Sequence, residues 1–244
     1  MIDFDSYEIL SFDCYGTLID WETGILAALA PVLARHGRSV LDEALLEAFG
    51  ELEAGAERPP YRPYAVVLEE VVEGLGRRFG FTPDAAERGV LAASLAGWPP
   101  FPDTRDALRA LGTKYRLGVI SNIDDDLFAG TARSLGVDFD WVVTARQVGS
   151  YKPSLENFRQ ALARFGAPGD KVLHVAQSLF HDIAPARSLG LSTVWVNRRH
   201  AKPGSGATPP ASARPDVEVP DLRALAVLAG VESPAGGTAF RGGN

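Results

Sequence analysis

The sequence predicts an α/β protein, a doubly wound parallel sheet into which a helical domain is inserted. Three observations carry this prediction. An apolar run, Glu8-Ile9-Leu10-Ser11-Phe12, ends at an acidic residue, Asp13, shortly before a turn at Gly16. A long stretch from Trp21 to about Trp98 then shows only helical periodicity. Beyond it, short apolar runs alternate with amphipathic ones as far as Val196. Repeated strand–helix units pair their strands in parallel and place helices over both faces of the sheet.

Each element has its own signal. Glu8–Phe12 is too short and too apolar for anything but a buried strand. In the helical block, Ile25, Leu26, Leu29, Val32 and Leu33 recur at helical spacing, as do Leu41, Leu45, Leu46 and Phe49. Val66, Val67, Val71 and Leu75 form a third set, after a proline-rich break at Pro59-Pro60-Tyr61-Arg62-Pro63-Tyr64. A fourth helix is expected from Pro83 to Leu95. The alternating part reads as helix Thr104–Leu111, strand Arg116–Ile120, helix Asp126–Leu135 and strand Trp141–Val143. It continues with helix Leu155–Phe165, strand Lys171–Val175, helix Ile183–Leu189 and strand Ser192–Val196. Residues 201–220, rich in Pro, Gly, Ser and Ala, read as a long loop. These readings assign residues 1–20 and 98–232 to an α/β core, 21–97 to a helical cap, and 233–244 to a flexible tail.

Composition narrows the function. At 244 residues, with 46% hydrophobic and 23% charged residues, the chain matches an ordinary soluble globular protein. A net charge of −7 argues against nucleic acid or an anionic membrane as partner, so an anionic substrate must be held by local cations. No apolar run approaches the roughly 18 residues that span a bilayer. Met1-Ile2-Asp3-Phe4-Asp5 lacks the pattern of a signal peptide. The single cysteine, Cys14, fits a reducing cytoplasm. Strand alternation turns Cys14 away from Asp13, which marks it as a buried structural thiol rather than a nucleophile.

Polar groups follow the other strands as well. Ser121-Asn122 comes after Val119-Ile120, Lys152-Pro153 after the third strand, and Gln177-Ser178 and then Asp182 after His174-Val175-Ala176. In a parallel sheet these ends share one edge, where ligands of open α/β sheets bind. Singly, each has a plainer account. Asp13 opens a turn, Ser121 or Asn122 caps a helix, Lys152 is a solvated charge, and Asp182 favours a helix start. Their joint occurrence, in order and each after an apolar strand, points to a site.

On these residues the chain resembles the haloacid dehalogenase superfamily of aspartate-nucleophile hydrolases, and within it the type II 2-haloacid dehalogenases. Asp13-x-Tyr15-Gly16-Thr17-Leu18, Ser121-Asn122, Ser150-Tyr151-Lys152-Pro153 and the acidic motif ending in Asp182 match in order, across residues 8 to about 200. Asp13 to Glu22 and Gln177 to Asp182 look closer to a sister group that includes a hydrolase opening the ring of azetidine-2-carboxylate. The resemblance implies a Rossmann-like core with a helical cap that closes over Asp13.

It also implies roles. Phosphatases of the superfamily carry a second Asp two residues after the nucleophile and hold Mg²⁺ partly through acids of the fourth motif. Here those positions are Tyr15 and Gln177, so no metal and no cofactor is expected. Asp13 would attack carbon and form an aspartyl ester, and water would then attack the ester carbonyl. Lys152 would hold Asp13 charged, while Thr17, Ser121 and Asn122 orient carboxylates and Asp182 positions the hydrolytic water. Tyr15, Gln177 and Phe158 would line the substrate, with Phe158 replacing the Tyr found in type II dehalogenases. Trp21 either lines the pocket or anchors the cap. Arg58 or Arg62 either cradles an anion or is solvated. Glu22 or His181 would pair with a ring ammonium if the reaction opens a ring. The expected partner is a small carboxylate, most simply a 2-haloacid. Homodimers are common among similar enzymes. Mg²⁺-dependent phosphatase action and plain small-anion binding are the remaining alternatives.

Overall fold

The computed structural model describes residues 2–231, so the expected tail at 233–244 lies outside the described residues. Six parallel strands form one sheet: β1 (Ile9–Phe12), β2 (Arg116–Ser121), β3 (Trp141–Thr144), β4 (Val172–Ala176), β5 (Ser192–Val196) and β6 (Val217–Val219). Their order is β3-β2-β1-β4-β5-β6. The chain therefore winds away from β1 in both directions, and a crevice opens between β1 and β4 at their carboxyl ends. All four residues of β1 are buried, because it pairs on both sides, Phe12 with Val119 and with Val175.

The helices are α1 (Trp21–Arg35), α2 (Asp42–Ala56), α3 (Tyr64–Phe79), α4 (Ala85–Arg88) and α5 (Val90–Ser94) in the cap. Those of the core are α6 (Thr104–Leu111), α7 (Asp125–Leu135), α8 (Ala145–Val148), α9 (Leu155–Phe165), α10 (Ala184–Ser188) and α11 (Leu222–Leu228). Alternation along the strands sorts the core by face. Leu10, Phe12 and Val119 join the large cluster that continues into the cap, whereas Ile9, Ile120 and Val143 pack with Phe158, Phe165 and Ala186 on the other side. The three helical repeats of the inserted block form α1, α2 and α3, with Ile25, Leu29, Leu45, Phe49, Val67, Val71 and Leu75 all buried. Trp98 closes the insertion over Gly24 of α1, where a Cβ would drive into the indole ring.

The structure corrects two expectations. The helix foreseen at 83–95 breaks at Gly89 into α4 and α5. The loop foreseen at 201–220 contains β6, whose three residues are too few to show periodicity in a Pro- and Gly-rich stretch. Part of that segment also turns inward. Ala207 and Thr208 are buried, and the Ala207 carbonyl lies against Gly50 of α2. Arg199 ties the segment to the cap through Glu22 and Glu43.

Candidate active site

The turn after β1 builds the site from the backbone up. The Asp13 amide donates to the Val175 carbonyl (3.1 Å), so β4 fixes where the strand ends. Gly16 adopts φ +91°, a left-handed conformation that a side chain resists, with the Trp21 indole packed against it. The chain then doubles back and places Thr17 over Asp13. The Thr17 hydroxyl donates to Asp13 Oδ2 (2.7 Å) and accepts from the Gln177 amide (2.8 Å), which sets its orientation.

Lys152, 1% exposed, reaches the same point from the segment after α8. Its ammonium donates to Asp13 Oδ1 (2.9 Å), Asp182 Oδ1 (2.7 Å) and the Ile120 carbonyl (2.8 Å). An ammonium has three protons, so Lys152 has none left. Asn122 brackets its backbone, accepting from the Lys152 amide (2.7 Å) and donating to its carbonyl (3.0 Å). Asp182 lies in a wide π-helical turn, Leu179–Ile183, and is fully buried. His174 Nε2 lies 3.0 Å from Asp182 Oδ1, and His174 Nδ1 lies 2.9 Å from the Ser11 hydroxyl. Ser11 and His174 are register partners on β1 and β4, so sheet pairing itself creates this support.

Burial pushes the Asp13 carboxyl above its ordinary value and nearby Asp182 adds to the effect, with Lys152 and Thr17 opposing it. Burial acts the same way on Asp182, but the Lys152 charge and the His174 and Lys152 hydrogen bonds outweigh it and hold Asp182 low. Lys152 itself is raised: burial disfavours its charge, but the two carboxylates more than compensate.

Above Asp13 lies a chamber of about 30 Å³, enough for about two waters. Tyr15, Trp21, Ser121, Asn122, Gln177 and Lys152 line it together with Asp13 and Asp182, so eight of the foreseen residues meet there. Thr17 does not line the chamber and acts through its hydrogen bond to Asp13. Tyr15 bonds Thr131 (2.7 Å), and Gln177 accepts from Thr208 (3.1 Å). Trp21 serves both expected roles, facing the chamber while packing edge-on against Phe49.

Arg62, Phe158, Glu22 and Arg58 are not brought to the chamber. Arg62 is captured by Glu70 and the Ala56 carbonyl, and does not line it. Phe158 belongs to the core on the opposite face of the sheet, edge-on to His174. Of the residues weighed for a ring ammonium, Glu22 is held by Arg199 and Lys202. Burial drives His181 down to about 4, so its imidazole is neutral. Arg58 lines a larger cleft of about 1140 Å³ that shares Glu57, Lys152, His181 and Thr208 with the chamber.

Sequence reasoning missed Glu53, Glu57 and Tyr64, which hang from the cap into the chamber. Glu53 accepts from the Tyr64 hydroxyl, and Glu57 accepts from the Asn122 amide. A signal was present. Leu45, Phe49, Glu53 and Glu57 are spaced by four, so two acids continue the buried stripe of α2. His174, a histidine inside an apolar strand, was a second.

The donor set does not fit a Mg²⁺ ion. The Lys152 ammonium stands where a cation shared by Asp13 and Asp182 would sit, and Gln177 offers an amide in place of an acid. Among the described residues, no group of three or more His, Cys, Asp or Glu side chains is arranged to hold a metal. Among them also, no helix is long and apolar enough to cross a membrane.

Comparison with known proteins places the chain among hydrolases. A glyceraldehyde 3-phosphate phosphatase of Methanothermobacter thermautotrophicus is 40% identical over 102 residues, 40% of this chain and 45% of that protein, so the chain spans less than half of that relative. An (S)-2-haloacid dehalogenase of Pseudomonas fluorescens is 26% identical over 198 residues, 78% of this chain and 84% of that one. The L-2-haloacid dehalogenase of Xanthobacter autotrophicus, solved with chloropropionic acid covalently bound, superposes with a TM-score of 0.74 at 20% identity, covering 91% of this chain and 98% of that one. At that identity the likeness concerns the fold. The haloacid dehalogenase-like hydrolase family matches residues 7–190, from the start of β1 to just past α10, and the chain belongs to that family.

Proposed function

We propose that the protein hydrolyses a small carboxylic acid by attack of the Asp13 carboxylate on carbon, without a metal. The carrying observation is the pairing at Asp13: its carboxylate is buried, with one oxygen held by Lys152 and the other by Thr17. In the first step an Asp13 oxygen bonds to the substrate carbon, and the leaving group departs with its electron pair. In the second step water adds to the ester carbonyl of Asp13. The hydroxy acid leaves with one oxygen from Asp13, and the carboxylate re-forms with one oxygen from water, releasing a proton. Splitting the displacement in two lowers each barrier. Asp182 orients that water, a role supported by its Oδ2 having no partner among the described residues.

The first substrate class is 2-haloacids, supported by the (S)-2-haloacid dehalogenase relative and by the fold neighbour with chloropropionic acid bound. A second reading, hydrolytic C–N opening of a small cyclic amino acid, is favoured by the acidic lining of Glu53 and Glu57. Phosphatase action, the activity of the other relative, fits less well. Tyr15 replaces the acid expected to protonate a leaving oxygen, and Gln177 replaces an acid of the fourth motif.

A single turnover in ¹⁸O water with excess enzyme tests the reading. Label in the peptide containing Asp13, obtained equally in EDTA, is the expected result. Label found only in the product, or loss of turnover on chelation, refutes it.

A further inference from the structure

A fully buried imidazole interrupts the apolar strand β4 at His174. Alternation puts it on the face that carries Val172, Ile9 and Phe158, and Phe158 meets the ring edge-on. Ser11, its register partner on β1, is equally buried. A polar pair in such a place is destabilising unless its hydrogen bonds are made, and two aliphatic residues would pack there without that condition. What the pair adds is a chain of two hydrogen bonds, from Ser11 to His174 and from His174 to Asp182.

The chemistry of Asp182 sets the direction of that chain. Despite burial, the Lys152 charge and the hydrogen bonds keep this carboxyl ionised at neutral pH, when it can only accept. Nε2 of His174, 3.0 Å from Oδ1, therefore carries a proton, and the Ser11 hydroxyl serves Nδ1 at 2.9 Å. One donor would leave the carboxylate free to turn about that contact. Two donors on Oδ1, Lys152 and His174, fix it, and leave Oδ2 as the oxygen with no partner among the described residues. The two donors differ in reach. Lys152 also bonds Asp13, so it bears on both steps of the reaction. Among the described residues the His174 ring bonds only Asp182 and Ser11, so it bears on one.

We infer that His174 is a positioning residue for ester hydrolysis alone: with its proton on Nε2 it holds Asp182 so that Oδ2 meets the incoming water, and it takes no part in forming the ester. This rests on the reading of Asp13 as the nucleophile. In the hydrolytic step the oxygen of water bonds to the carbonyl carbon of the Asp13 ester, and the bond from that carbon to the substrate oxygen breaks. The departing oxygen takes one of water's protons, and the other is released as the carboxylate re-forms. Asp182 Oδ2 accepts the hydrogen bond that aims the water. Ser11 acts one bond further back, by keeping Nδ1 satisfied inside the sheet.

The test has a kinetic arm and a spectroscopic one, both on the full chain. With racemic 2-chloropropionate as substrate, ester formation expels chloride and sets kcat/KM, whereas ester hydrolysis enters only kcat. His174→Leu is expected to lower kcat about tenfold or more, the scale of a hydrogen bond to a charged group, while kcat/KM stays within about twofold of the parent. KM then falls with kcat, and intact-protein mass spectrometry shows the ester accumulating on the variant. His174→Gln, whose amide N–H can reach the same oxygen, should recover much of the loss. A general loss of structure would lower kcat and kcat/KM together and leave no ester to trap. In the spectroscopic arm, ¹⁵N resonances of the parent imidazole should show a proton on Nε2, and this needs no substrate and no variant. An equal fall in kcat and kcat/KM, no accumulated ester in either variant, unchanged turnover in His174→Leu, or an Nε2 without its proton overturns the inference. The ¹⁸O experiment separates this from the nucleophile reading. Label in Asp13 with undiminished hydrolysis in His174→Leu removes only the role of His174, and label confined to product removes the nucleophile itself.

Discussion

The Lys152 ammonium lies 2.7 Å from Asp182 Oδ1 and 2.9 Å from Asp13 Oδ1, so a single buried cation is shared by two carboxylates of unequal basicity. Asp182 is held below the ordinary range while Asp13 is raised above it. On acidification Asp13 therefore takes up a proton before Asp182, and a protonated Asp13 is no nucleophile. The acid limb of kcat/KM is expected above 3.8, the ordinary Asp value. Thr17→Val, which removes a hydrogen bond to the ionised form, should move the limb further up in pH and cost about tenfold or more in rate. A pH–rate profile of both proteins checks this.

Lys152→Met leaves Asp13 and Asp182 buried without their counter-charge. Breaking a buried pair from one side costs about 3–5 kcal/mol. Protonation relieves the penalty, so the loss should be greatest above neutral pH and smaller near pH ~5, where the orphaned carboxyls are neutral in the folded state. Urea unfolding at the two pH values reads it.

Glu53 and His181 give opposite pH dependences within one chamber. Burial raises Glu53 from 4.5 to about 7, so its contribution to stability is fully present below 4.5 and is lost as pH rises to about 7. Burial lowers His181 from 6.5 to about 4, so its contribution is present above 6.5 and is lost as pH falls to about 4. Each displacement corresponds to about 3 kcal/mol at roughly 1.4 kcal/mol per pH unit. Relative to the parent, Glu53→Gln should gain stability with rising pH and His181→Asn with falling pH. Melting curves from pH ~4 to ~8 distinguish the two slopes.

Ser121→Ala removes a hydroxyl that has no partner among the described residues, so unfolding free energy should change by no more than about 0.5 kcal/mol. If the hydroxyl serves substrate, KM rises about tenfold at little cost in kcat. Thermal melting together with steady-state kinetics checks both halves.

Gly24→Ala places a methyl group in the Trp98 ring at the junction of cap and core. Overpacking of this kind costs about 1–3 kcal/mol. A lowered Tm without loss of the folded far-ultraviolet signal is the expected outcome.

Much of this molecule was legible in one dimension. Short apolar runs became β1 to β5, because a four- to six-residue strand covered on both faces by helices needs little beyond continuous hydrophobicity. The helical repeats of the cap followed from period alone. Asp13, Lys152 and Asp182 could be found because the carboxyl ends of parallel strands share one edge, which makes position in sequence a proxy for position in space.

Tertiary structure decided the rest. Arg62 and Phe158 fell out of the site because Glu70 captures the first, and helix α9, packed on the far face of the sheet, carries the second into the core there. Glu53 and Glu57 entered it because α2 is laid over Asp13, an orientation set by long-range packing of Trp21 on Phe49 and of Gly50 on the Ala207 carbonyl. β6 and the inward course of residues 207–208 depend on partners far away in sequence, β5 and Gln177. The sequence by itself determined strands β1 to β5, the long cap helices and the charged residues at the strand ends, since each is encoded locally. Which charges face one another is a property of distances across the fold, and no local pattern carries those distances.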